Sequence, residues 1–187
     1  NMTSDAGKGM SNMTYNLLNL PATVDMGDEG TIRFTYTYSG EKIKKSVIDL
    51  NDENGNQSGT RKYINGFEYK NDDLQFISVP HGRILVSDSE KNPSTDTEYF
   101  IKDHLGNTVV VFGDKDNDGF IQEIDDEASN EVAQRNFYYS FGMRVDDPSY
   151  LYGSTKENDY LYNGKELEGD LGLDLHFYGA RWYDASI

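Results

Sequence analysis

The segment Asp114-Lys115-Asp116-Asn117-Asp118-Gly119-Phe120-Ile121-Gln122-Glu123-Ile124-Asp125 spaces its oxygen donors for a hard cation. Carboxylates occupy positions 1, 3 and 5, glycine at 6 permits a sharp turn, the Phe120 carbonyl falls at 7, Gln122 at 9 and Asp125 at 12. A calcium ion takes its oxygens at about 2.4 Å, so a single loop must fold several of them inward together. Asp114, Asp116, Asp118, Phe120, Gln122 and Asp125 are therefore the candidate metal ligands, and calcium is the implied cofactor. Asp125 is one methylene shorter than the bidentate glutamate usual at position 12, and a strand leads into the loop instead of a helix. Both features point to millimolar affinity. The competing reading is an acidic hairpin connection that is merely solvated.

Other chemistry is sparse. Asp49-Leu50-Asn51-Asp52-Glu53-Asn54-Gly55-Asn56 echoes the acidic loop, but its glycine is out of register, and it reads as a hairpin loop. His81, His104 and His176 lack metal-ligand spacing. Asp103-His104 resembles an acid–base pair only in sequence, since adjacent residues on a strand face opposite sides and Leu105-Gly106-Asn107 marks a turn. Lys165-Glu166-Leu167-Glu168 reads as a solvated turn, and Trp182 as a packing residue before a sugar-stacking one. No nucleophile elbow, phosphate-cradling glycine loop or dinucleotide fingerprint occurs, so an enzyme is not expected.

The surrounding chain must position that loop. It has 187 residues, with Lys+Arg 17 against Asp+Glu 33, a formal charge of -16 and no cysteine. Thiolate metal sites, disulfides and a cysteine nucleophile are excluded. The acidic balance, uninterrupted by any basic cluster, disfavours nucleic acid as a partner. No apolar run approaches the roughly 20 residues of a membrane span, so no membrane insertion is expected. The polar start Asn1-Met2-Thr3-Ser4-Asp5 has no signal-peptide pattern and looks like a cut into a longer chain. A mean hydropathy of -0.74 would suit disorder, but Tyr 14 and Phe 9, clustered with β-branched residues, suit a half-buried sheet.

Turn signals partition the chain. Thr31 to Tyr38 alternates with period 2, Ser39-Gly40 breaks it, and Lys42 to Ile48 resumes as a hairpin partner. Asn54-Gly55, Asn65-Gly66 and Asn71-Asp72 tolerate the positive φ of tight turns. Strands are expected over about 60–64, 67–70, 73–79, 83–87, 97–102, 106–112, 132–140, 158–163 and 172–183. Short helical turns are expected over 124–132 and 165–171. The fold class is all-β, an antiparallel meander of hairpins with one or two short helical turns. Its open edges call for continuation in a longer chain, self-association through the sheet edges, or a fold-back sandwich.

The units of this meander resemble a known family. Phe34-Thr35-Tyr36-Thr37-Tyr38-Ser39-Gly40-Glu41-Lys42-Ile43-Lys44-Lys45 resembles a YD repeat, and Met13 to Pro21 resembles the one before it. Then come Tyr99-Phe100-Ile101-Lys102-Asp103-His104-Leu105-Gly106-Asn107, Phe137-Tyr138-Tyr139-Ser140-Phe141-Gly142-Met143, Tyr160-Leu161-Tyr162-Asn163-Gly164-Lys165-Glu166-Leu167, and Tyr178-Gly179-Ala180-Arg181-Trp182-Tyr183-Asp184. In order and spacing these are similar to the Rhs repeat-associated core domain in its Bacteroidetes-like form. Ser140 and Ala185 stand where that family usually has proline.

The resemblance implies a YD-repeat segment over 1–96 and part of the core domain over 97–187. It implies hairpins forming part of a curled sheet, a β-shell, in a large secreted or cell-surface protein of polymorphic-toxin type. Such a shell encloses a C-terminal effector, and the core domain cuts itself from that effector with aspartates of an Asp-Pro-x-Gly segment. That segment would lie past Ile187, so no catalytic residue is carried over. The implied partners are further YD repeats and the effector of the same chain. The reading of a different class is a calcium-dependent carbohydrate-binding or adhesin module, whose partner would be a cell-surface glycan.

Overall fold

The computed structural model describes residues 1–53, 58–87, 94–124, 130–145 and 157–187. The Asn54-Gly55 turn, Asp125, most of the polar loop after Asp88 and the middle of the helical turn expected over 124–132 lie outside them. The described residues are all-β, with helical structure confined to single 3-10 turns such as Ala6–Lys8. No helix among them is long and apolar enough to cross a membrane. Compactness divides the chain into one unit of Asn1–Gln75 with Glu168–Tyr183 and another of Phe76–Leu167 with Asp184–Ile187.

The first unit holds β1 (Asn12–Tyr15), β2 (Pro21–Asp25), β3 (Gly30–Tyr36), β4 (Lys42–Asp49), β5 (Gly59–Ile64) and β6 (Phe67–Lys70), and β7 (Asp73–Val79) begins in it. Neighbours from β1 to β6 pair antiparallel in chain order. The turns are where the dipeptides place them: Gly40 has φ 89, Asn65 and Gly66 have φ 49 and 86, and Asn71 and Asp72 have φ 51 and 75. Asn and Asp tolerate this left-handed region because their short side chains bond locally. Gly30 at φ 141 is required twice over, since a Cβ there would lie 2.0 Å from the Ile48 carbonyl oxygen across the sheet.

Alternation then sorts the faces. On β3, Ile32 and Phe34 are buried while Arg33 is exposed. Their partners on β4 are Val47 and Lys45, which puts a lysine on the inner face. A register shift between Thr35 and Tyr36 pairs Tyr36 with Lys42, and Lys42 is buried as well. Met10, Met13, Val24, Met26, Ile32, Phe34 and Val47 form the core together with Leu173 and Leu175 from the far end of the chain. Each fully buried leucine contributes about 2 kcal/mol of transfer free energy, an upper estimate.

The same C-terminal stretch satisfies the buried lysines. Glu168, fully buried, accepts from Lys42 through Oε1 and from Lys45 through Oε2 at 2.6 Å, and Asp170 takes Lys45 at 2.6 Å. The Lys42 ammonium also lies 4.4 Å from the Phe177 ring centre and 4.6 Å from that of Tyr63. The solvated turn expected at Lys165-Glu166-Leu167-Glu168 is therefore corrected: Glu166 and Glu168 are both buried. The helical turn expected over 165–171 is β12 (Leu167–Glu168) followed by a 3-10 turn at Asp170–Gly172. The strand expected over 172–183 is two short ones, β13 (Leu175–Phe177) and β14 (Trp182–Tyr183), paired antiparallel. Trp182 packs edge-on against Phe34 at 5.3 Å, as a packing residue should.

The second unit receives the end of β7 and holds β8 (Gly82–Ser87), β9 (Ser94–Lys102), β10 (Thr108–Phe112) and β11 (Val132–Arg135), again antiparallel in chain order. At its centre Arg83 and Glu98, cross-strand partners and both buried, join through Nε and Oε2 at 2.6 Å. Gly82 admits the neighbouring strand, because a Cβ would sit 1.9 Å from the Glu98 carbonyl oxygen.

Where a strand is expected over 158–163 there is a single bridge, Tyr160 to Glu166, and a 3-10 turn at Tyr162–Gly164. Side-chain bonds hold the segment there, beside the Thr108 N–H on the Leu161 carbonyl at 3.1 Å. Gln134 accepts from the Asn158 N–H at 2.8 Å, Thr108 Oγ1 donates to the Tyr160 carbonyl at 2.8 Å, and Asn107 Oδ1 accepts from the Asn163 N–H at 2.8 Å. Likewise β11 ends at Arg135, short of the expected 140, and a separate hairpin follows with Tyr138 bridged to Arg144.

Candidate metal centre

The acidic loop connects β10 to β11 within the second unit. Its base is closed by the Gly113 N–H on the Glu131 carbonyl at 2.9 Å. Asn117 and Gly119, at φ 59 and 84, bend the loop back. Asp114, Asp116 and Asp118 converge, each offering a carboxylate oxygen within 4.8 Å of the others. Asp114 is half-buried, and Asp116 and Asp118 are exposed.

The carboxylates also shape the loop. Asp114 Oδ1 accepts from the Asp118 N–H at 3.1 Å and its Oδ2 from the Gly119 N–H at 3.0 Å, while Asp116 Oδ1 accepts from the Asp118 N–H at 3.0 Å. Three like charges at this separation repel, and a divalent cation would convert that repulsion into coordination.

The remaining ligands of the sequence pattern sit differently. Gln122 turns its Nε2 onto Asp118 Oδ2 at 2.9 Å, so its amide supports the aspartate cluster from one side. The Phe120 side chain is exposed, and its N–H donates to Asp118 Oδ1 at 2.8 Å. Asp125 lies outside the described residues.

A residue the spacing does not reveal organises the loop. Glu131, buried just before β11, accepts the Lys115 N–H on Oε1 at 2.7 Å and the Gln122 N–H on Oε2 at 2.8 Å. The bond from Gln122, then those from Lys115 and Asp116, hold its carboxyl below the ordinary glutamate range, against burial and the charge of Asp114. The signal in the sequence was faint: an acidic residue at the mouth of a strand, past the end of the twelve-residue pattern.

Asp103, of the Asp103-His104 pair, is engaged in a turn. The Asp103 carboxylate accepts from the Leu105 and Asn107 N–H groups, each at 2.9 Å, and from Asn107 Nδ2 at 2.7 Å. Desolvation raises its pKa, but these bonds outweigh it and the carboxyl is held below its ordinary value. It caps the turn between β9 and β10.

No family profile matches this sequence, and no curated protein does. Solved structures do. One of TcdB2-TccC3 shares the fold with a TM-score of 0.63 at 15% identity, covering 95% of this chain and 9% of that one. The complex TcdB2-TccC3-Cdc42 gives 0.63 at 16% identity, over 95% of this chain and 8% of that one. The Photorhabdus luminescens Tc holotoxin pore, carrying a TccC3 variant, gives 0.62 at 16% identity, over 97% and 9%. The chain is thus similar in fold, along nearly its whole length, to a small part of much longer toxin-component chains.

Proposed function

We propose that this chain is a structural, non-catalytic segment of a large Rhs/YD-repeat protein, in which its sheet forms part of a β-shell around a C-terminal effector. The observation that carries this reading is the meander itself. Successive hairpins pair in chain order, and that arrangement matches part of the Tc toxin components at a TM-score of 0.63 while spanning 9% of their length. A sheet built this way has free edges that more of the same chain can extend. The motifs from Tyr99 to Asp184 support reading the later part as the repeat-associated core domain, in its Bacteroidetes-like form, and the same resemblance supports a secreted or cell-surface protein. Its partners are the flanking repeats and the effector. Electron microscopy of the full-length natural chain tests this. A hollow shell, with further Tyr-rich repeats before Asn1 and an Asp-Pro-x-Gly segment after Ile187, is the expected result; a natural chain without repeats on either side sinks the reading.

The convergence of Asp114, Asp116 and Asp118 favours a second role for the same segment, calcium binding. Calorimetry should register binding at about millimolar calcium, lost in the Asp114→Ala/Asp118→Ala variant. Absence of heat in the unsubstituted protein would remove calcium from the account and leave the shell reading intact.

A further inference from the structure

The buried charge cluster of the first unit also has the components of a condensation. Lys45 Nζ lies 2.6 Å from Asp170 Oδ2 and 2.6 Å from Glu168 Oε2. The lysine is fixed, since it stands on a central strand, paired with Phe34 of β3 on one side and Arg61 of β5 on the other. Water is scarce around it, because the Lys45 and Glu168 side chains are 4% and 0% exposed. The two carboxylates are not equivalent. Glu168 is shared with the Lys42 ammonium, whereas Asp170 opens the 3-10 turn Asp170–Gly172 and its side chain is 30% exposed, which leaves a product water a way out. An amine and a carboxyl held in contact this way react as if at about 10⁵ M or more, enough to favour an amide that free amines and acids in water do not form.

We propose that Lys45 and Asp170 condense spontaneously into a side-chain amide, with Glu168 moving the proton. The ammonium first passes a proton to the Asp170 carboxylate, and in water-poor surroundings the pair loses both charges together at little cost. The freed amine of Lys45 attacks Asp170 Cγ, and the new Nζ–Cγ bond forms as a tetrahedral centre. Glu168 Oε2 takes a proton from Nζ and returns it to the departing hydroxyl, so that the Cγ–O bond breaks and one water leaves. One ammonium and one carboxylate thus become one amide and one water, with no other reactant. Lys42 and Glu168 remain as a matched ion pair. The product removes two buried charges and ties β4 to the segment carrying Leu173 and Leu175, the leucines that complete the core. The reaction occurs once per chain and is independent of the shell and calcium readings.

Intact mass spectrometry of the whole chain, folded and held at neutral pH until its mass is constant, tests this directly. The unsubstituted chain should be lighter than its sequence by one water, and tandem spectra should show a branched tryptic peptide joining Lys45 to Asp170. Lys45→Arg keeps the positive charge and Asp170→Ala leaves Glu168 to both lysines, and each should show its full sequence mass. Asp170→Asn should give the same branched peptide with loss of ammonia instead of water. Glu168→Gln should slow the reaction about a hundredfold. Circular dichroism checks that each variant folds, and the mass of the unsubstituted chain decides by itself if one does not. A folded chain that stays at its full sequence mass overturns the proposal. So does a water loss that persists in Lys45→Arg, a branch at Glu168 instead of Asp170, or a folded Glu168→Gln variant that condenses at the unsubstituted rate.

Discussion

Glu168→Ala should destabilise the first unit by about 3–5 kcal/mol, read as a lowered denaturant midpoint, because it removes the carboxylate that two buried ammonium groups share. Lys42 and Lys45 are 8% and 3% exposed, and Glu168 is 0% exposed, so water cannot take over from the lost carboxylate. Asp170 would still hold Lys45, and the faces of Phe177, Tyr63 and Phe34 would still lie against Lys42. Those rings are worth about 2 kcal/mol at best for a desolvated cation, less than the charge requires. Glu168→Gln should fall between the two, since its amide oxygen can accept from one lysine without neutralising either. Replacing Lys42, Lys45 and Glu168 together by apolar residues of similar volume should recover most of the loss. An alanine variant whose midpoint moves no more than that of an ordinary surface substitution would show the cluster to be solvated in solution.

The second large effect is expected at Arg83. Its guanidinium, 2% exposed, bonds Glu98 through Nε, donates to the Glu157 carbonyl at 3.3 Å and lies 5.3 Å from the Phe76 ring centre. Arg83→Ala leaves the Glu98 carboxylate buried and unpaired and should cost about 3–5 kcal/mol. Arg83→Met with Glu98→Leu removes both charges while keeping the volume, and should be nearly neutral or stabilising. Chemical denaturation of the two single variants and the double variant makes a thermodynamic cycle. A double variant as damaged as the worse single one would mean that Arg83 matters for packing on Phe76 and not for its charge.

The hairpin meander was legible because it is local. Asn65-Gly66 and Asn71-Asp72 set their own backbone angles, and the strands they separate, Phe67–Lys70 and Asp73–Val79, fall where period-2 alternation puts them. The aspartate triplet was legible for the same reason, since five residues of a tight loop bring Asp114, Asp116 and Asp118 together without help from elsewhere. Glu131 was not, because its contacts to the Lys115 and Gln122 N–H groups depend on the pairing of β10 with β11.

The longest-range features were least legible. Nothing in Lys42-Ile43-Lys44-Lys45 says that two of its lysines are buried, and nothing in Gly164-Lys165-Glu166-Leu167-Glu168 says that its last glutamate will meet them. Read alone, each segment looks like a solvated charge run. Only when β4 and Glu168, separated by 126 residues at Lys42, come together are both sets of charges removed from water, and each then becomes the reason the other is tolerated. By itself the sequence determined the strand periods, the turns and the acidic loop, since these depend on backbone sterics and neighbours a few residues away. The tertiary structure decided which charges are buried and which leucines complete the core, since these depend on chain closure that no local pattern encodes.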